Sequence, residues 1–145
     1  MTKRFCGAVM AVALAVATLP VAAQTAKPLA LGSARLGKAV MADGKSLAAG
    51  TYMLRVSDEK PAAVVGQTAD ESRWVEFLQG GTVKGRELAT VLSKDAMKEM
   101  AQKAGRSGVP AAGTVKVEQL KGDDYIRIWA NKVGMQYLIH LSIAK

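Results

Sequence analysis

Gly44-Lys45-Ser46 ends like the phosphate-binding loop of nucleotide hydrolases. That loop needs a glycine five residues before Gly44 and a helix after the serine, because successive backbone N–H groups and the helix dipole hold the phosphates together. Position 39 is Ala39, and the residues after Ser46 lead into a strand. Asp43-Gly44 instead has the composition of a tight hairpin turn. His140 is the only histidine, and the chain outside residues 1–23 has no cysteine, so a zinc site would have only carboxylates to add. No G-x-S-x-G elbow is present to make His140 part of a hydrolytic triad. It reads as a hydrogen-bonded structural histidine. The acidic pairs Asp58-Glu59, Asp70-Glu71 and Asp123-Asp124 lack the D-x-D-x-D-G spacing of a calcium loop and read as solvated turns. These residues predict no catalytic site, no metal site and no cofactor.

The aromatic residues carry more. Tyr125, Arg127 and Trp129 alternate with Ile126 and Ile128, so a core-facing isoleucine pair puts the other three on the opposite face. Trp74 and Glu76 are expected to share that arrangement on the strand bearing Val75 and Phe77. Such a face can stack a sugar ring or a peptide, with Arg127 and Arg73 as cations and donors. Against this stands the burial of most large aromatic side chains, which would place the rings under a helix or in a second core layer. The candidate ligand-binding residues are therefore Trp74, Tyr125, Arg127 and Trp129.

Elements to position them follow from period-two alternation. Residues 51–56 set Tyr52, Leu54 and Val56 against Thr51, Met53 and Arg55; Val115 and Val117 alternate with Lys116 and Glu118. Tyr137, Ile139, Leu141 and Ile143 alternate with Gln136, Leu138, His140 and Ser142, a strand apolar enough on both faces to be central. Asp43-Gly44, Gly80-Gly81, Lys121-Gly122 and the 131–134 segment supply residues that tolerate positive φ and mark turns. Residues 114–143 then form a three-stranded antiparallel meander, and 73–92 a hairpin bending near Gly85. One helix is expected over about 94–104. Ser93 caps it, Asp95 faces its dipole, Gly105 closes it, and Met97, Met100, Ala101 and Ala104 form the docking stripe. The expected fold class is mostly β: a small antiparallel sandwich or partly open barrel with one short helix.

Residues 43–56, Asp43-Gly44-Lys45-Ser46-Leu47-Ala48-Ala49-Gly50-Thr51-Tyr52-Met53-Leu54-Arg55-Val56, resemble the GKxLxAGTYxLxV hairpin of uncharacterised secreted bacterial β-sandwich proteins. The resemblance implies the fold and no activity.

Residues 1–23 carry the parts of a secretory signal in order: Lys3 and Arg4, an apolar run to Leu19, then Pro20-Val21-Ala22-Ala23. The competing reading is an uncleaved anchor, since the run approaches the ~20 residues that span a bilayer. Its alanine content, the proline and the small residues before Gln24 favour cleavage after Ala23, leaving one domain over 24–145. Cys6 lies near the start of the run and goes with it, so no disulfide is expected. Losing Lys3 and Arg4 takes Lys+Arg from 20 to 18 against 12 acidic residues, a net charge of +6. The basic residues are scattered, which argues against nucleic acid and suits a mild attraction to anionic surfaces. The expectation is a periplasmic or secreted, non-catalytic binding or accessory module contacting envelope glycan, an extended peptide or another protein. The alternative is a structural component of the envelope that assembles through a sheet edge.

Overall fold

Period-two apolar residues close their strands around a shared interior. The computed structural model describes residues 27–62, 65–66, 71–103, 110–122 and 124–145; the expected signal segment and Gly105 lie outside them. The strands are β1 (Ala30–Leu36), β2 (Val40–Ala42), β3 (Lys45–Leu47), β4 (Gly50–Val56), β5 (Ser72–Gln79) and β6 (Thr82–Ser93). Helix α1 (Lys94–Lys103) follows, then β7 (Val115–Gln119), β8 (Tyr125–Lys132) and β9 (Met135–Ile143). The fold is mostly β, an antiparallel sheet nearly closed into a barrel.

Around the wall the order is β1-β4-β5-β6-β9, continued by β8 and β7. Seven strands alternating in direction bring the two ends of the wall together parallel. Among the described residues no ladder joins β7 to β1. They meet through side chains instead: a Cβ on Gly32, whose φ is +132°, would lie 2.8 Å from Val115 Cγ2. The glycine is what lets the seam close.

Inside the barrel Leu54, Val75, Phe77, Ala89, Ile128, Ala130, Ile139 and Leu141 are fully buried. Tyr52 stands edge-on to Phe77, with ring centroids 6.2 Å apart, and donates its hydroxyl to the Ala48 carbonyl at 2.8 Å. The β2–β3 hairpin pairs with the end of β9 and lays Leu47 against Gly85, where a Cβ would come within 2.9 Å of the leucine. Gly85 also sits opposite Phe77 at the register shift that bends β5–β6, as its position in the sequence predicts. Strand β9 is central: it pairs with β6, β8 and β2.

The two halves of the 43–56 segment part company. Lys45–Leu47 pairs with β2, whereas Gly50–Val56 pairs with β1 and β5. Asp43 and Gly44, at φ 43° and 74°, form the tight turn of the β2–β3 hairpin.

Helix α1 is capped as expected, with the Ala96 N–H donating to Ser93 Oγ at 3.3 Å. It packs on β6 and β9. Met97 is 1 % exposed, but Met100, expected in the docking stripe, is 45 % exposed and does not dock; Ala104 of that stripe lies outside the described residues. On the outward face of β9, Gln136 and Leu138 are buried as well. Among the described residues no helix is long and apolar enough to cross a membrane.

Candidate functional site

Strand β8 turns Ile126, Ile128 and Ala130 into the core and so holds Tyr125, Arg127 and Trp129 on the outer wall. Strand β7 does the same with Val115 and Val117, which pack against the core and leave Lys116 and Glu118 outward. The register sets Glu118 opposite Arg127 and Lys116 opposite Trp129. Facing charges of opposite sign on neighbouring strands attract, and here they also organise an aromatic ring.

Glu118 Oε2 accepts from Arg127 Nη2 at 2.8 Å, from Arg127 Nε at 3.2 Å and from Trp129 Nε1 at 3.1 Å. Glu118 Oε1 lies 2.6 Å from Lys116 Nζ. The Arg127 guanidinium carbon sits 4.8 Å from the centroid of the Trp129 ring, within cation–π range. Arg127 is thus held by a carboxylate and a ring together, and only 14 % of its side chain is exposed. Tyr125, two residues along the same face, is 51 % exposed. The Leu120 N–H donates to the Tyr125 carbonyl at 3.0 Å, which carries the hairpin to its end beside that ring.

A shallow groove of about 480 Å³ runs along this face, lined by Glu118, Gln119, Leu120, Lys121 and Arg127. Its volume falls within the range of small-ligand clefts, roughly 300–1,000 Å³. His140 lies opposite Arg127 on β9 and is exposed on the wall. Among the described residues no group of three or more histidine, cysteine or acidic side chains is placed to hold a metal.

Trp74 stands apart. It lies on β5, opposite Leu88 of β6, and β6 and β9 separate it from β8. At ~4.8 Å per strand that is about 14 Å around the wall. Trp74 has its own arginine: the Arg86 guanidinium carbon is 4.3 Å from the ring centroid. Arg86 donates to Glu59 Oε2 at 2.6 Å and Asp43 Oδ2 at 3.3 Å, tying the β2–β3 turn and the segment after β4 to this wall. The hydrogen bond to Glu59 above all, opposed by desolvation and helped by Asp43, holds the Arg86 guanidinium above its ordinary pKa. Neither tryptophan belongs to the barrel core, and both are half-buried under an arginine.

The structure therefore brings Tyr125, Arg127 and Trp129 together and leaves Trp74 on a different wall. It adds Glu118, Lys116, Leu120 and Lys121, none of which the sequence singled out as a site residue. Their signal was the Val115/Val117 alternation, which already put Lys116 and Glu118 on the outer face; the missing information was the register. Of the acidic pairs, Glu59 is an exposed partner of Arg86 and Asp124 is exposed, while Asp70 and Asp123 lie outside the described residues. No family model matches this chain, and no curated protein or solved structure matches it.

Proposed function

We propose that the protein is an exported, non-catalytic binding module that holds envelope glycan against the outer face of β7 and β8. The observation that carries this reading is the pairing of an exposed ring, Tyr125, with an arginine whose position is already fixed by Glu118 and Trp129. Stacking on a sugar needs an open aromatic face, and orienting its hydroxyls needs donors that lose little freedom on binding. Tyr125 supplies the first and Arg127 the second. Trp129 serves as the floor on which Arg127 rests.

Assembly through a sheet edge has less support. A strand-adding partner needs a long, uncharged edge. Strand β3 is three residues long and begins with Lys45, and β1 and β7 close against each other at Gly32 and Val115.

Two measurements test the proposal. Tyr125→Ala removes an exposed ring and leaves no cavity, so its melting midpoint should match the unaltered protein while retention on insoluble envelope polysaccharide falls. Unchanged retention would overturn the binding face. Export is tested by mass spectrometry of the mature protein, which should begin at Gln24; a species retaining residues 1–23 would overturn cleavage.

A further inference from the structure

We propose that the β7–β8 groove takes a saccharide bearing a carboxylate, with its ring against Tyr125 and its anionic group on Arg127 and Lys121. This rests on reading that face as a glycan site and goes on to name the chemical class of the glycan.

The charged side chains that line the groove leave donors open and not acceptors. Among the described residues that line it Glu118 is the only acid, and both its oxygens are engaged: one by Arg127 and Trp129, the other by Lys116. Two cations line the same groove, Arg127 and Lys121. Among the described residues, Arg127 Nη1 and the exposed Lys121 ammonium have no acceptor. A ligand settling here has to bring acceptors, and covering two cations with neutral hydroxyls alone would strip their hydration without offsetting their charge. A carboxylate offers an oxygen to each and a charge of the right sign.

Geometry favours the same ligand. Arg127 cannot swing to follow a mobile group, because its Nε and Nη2 are committed to Glu118 and its plane lies over Trp129. It therefore presents Nη1 from a fixed place, as a preorganised donor does. Leu120 lines the groove, and the exposed Tyr125 ring stands two residues from Arg127 on the same face of β8. Among the described residues of the β7–β8 turn, Asp124 is the charge of opposite sign, exposed and next to Tyr125 in the chain. It is expected to oppose an acidic ligand and so gives a variant of reversed effect.

The test is affinity electrophoresis of the full-length mature protein through gels containing polygalacturonate or dextran. The proposal predicts retardation by polygalacturonate and little by dextran. Lys121→Gln should weaken the interaction about tenfold, the scale of one lost charge-assisted contact, and Asp124→Asn should strengthen it. Lys98→Gln, which removes an exposed cation from α1, should leave it unchanged. Equal retardation by both polymers would overturn the carboxylate assignment and leave the glycan reading standing; retardation by neither would overturn both. Equal losses for Lys121→Gln and Lys98→Gln would show diffuse attraction to a basic protein and overturn the site. Tighter binding of a peptide carboxyl terminus than of polygalacturonate would overturn the saccharide as its ligand.

Discussion

Glu118 and Arg127 face each other across the β7–β8 ladder, and the carboxylate oxygen that takes two guanidinium N–H groups also takes the indole N–H of Trp129. One acid therefore fixes both the cation and the ring. Removing it in Glu118→Ala takes the acceptor from four donors, Arg127 Nε and Nη2, Trp129 Nε1 and the exposed Lys116 Nζ, two of them on a side chain that is mostly covered. The expected loss is about 1–2 kcal/mol, less than for an interior pair because water reaches this wall. Denaturant unfolding measures it. A loss below a few tenths would show that Arg127 and Trp129 hold their places without Glu118.

The helix docks through one methionine. Met97→Asp would bury an unpaired charge where Met97 now has 1 % exposure, at an expected cost of ~3 kcal/mol or more. Met100→Asp changes an exposed position and should stay within ~0.5 kcal/mol. Equal effects of the two substitutions in chemical denaturation would contradict this placement of α1.

Val133 occupies the first position of the β8–β9 turn with φ 54°, and Gly134 follows at 73°. A β-branched residue is strained there, and its side chain is 77 % exposed, so burial gives nothing back. Val133→Asn restores the residue pair such turns favour and should stabilise the fold by about 1 kcal/mol. A lower melting temperature for this variant would mean that Val133 has a packing role.

Tyr137 is buried on β9, and burial raises its pKa above the ordinary 10.0, with the Arg73 charge pulling the other way. The unfolded chain thus loses this proton at lower pH than the folded one. The stabilisation is complete below pH 10 and is lost as pH rises from there through the folded-state value. Melting temperatures measured upward from pH 9 should fall more steeply for the unaltered protein than for Tyr137→Phe. Parallel curves would contradict the shift.

Legibility in the sequence followed the regularity of each strand. The central place of β9 could be read because Tyr137, Ile139 and Leu141 alternate with residues that include Leu138. Strand β1 escaped notice because its buried residues, Leu31, Ala34 and Leu36, break the two-residue period at the bulge between Ala30 and Gly32. The β7–β8 face was half legible. A two-residue turn on Lys121-Gly122 pairs Glu118 with Tyr125, but the ladder is centred one residue later and pairs Glu118 with Arg127. That shift preserves which face each side chain occupies and changes which partner it meets, so Tyr125, Arg127 and Trp129 were found while Glu118 was not. Trp74 was grouped with them because alternation gives a face and not a position around a barrel.

The chain has two tryptophans, which permits a direct measurement of the binding face. In Trp74→Phe the only indole is Trp129, stacked under Arg127; in Trp129→Phe it is Trp74, stacked under Arg86 on the other wall. Soluble envelope polysaccharide titrated into each variant should shift the emission of Trp129 saturably and leave that of Trp74 unchanged. A response from Trp74 alone, or from neither ring, would contradict the assignment of the β7–β8 face as the site of binding.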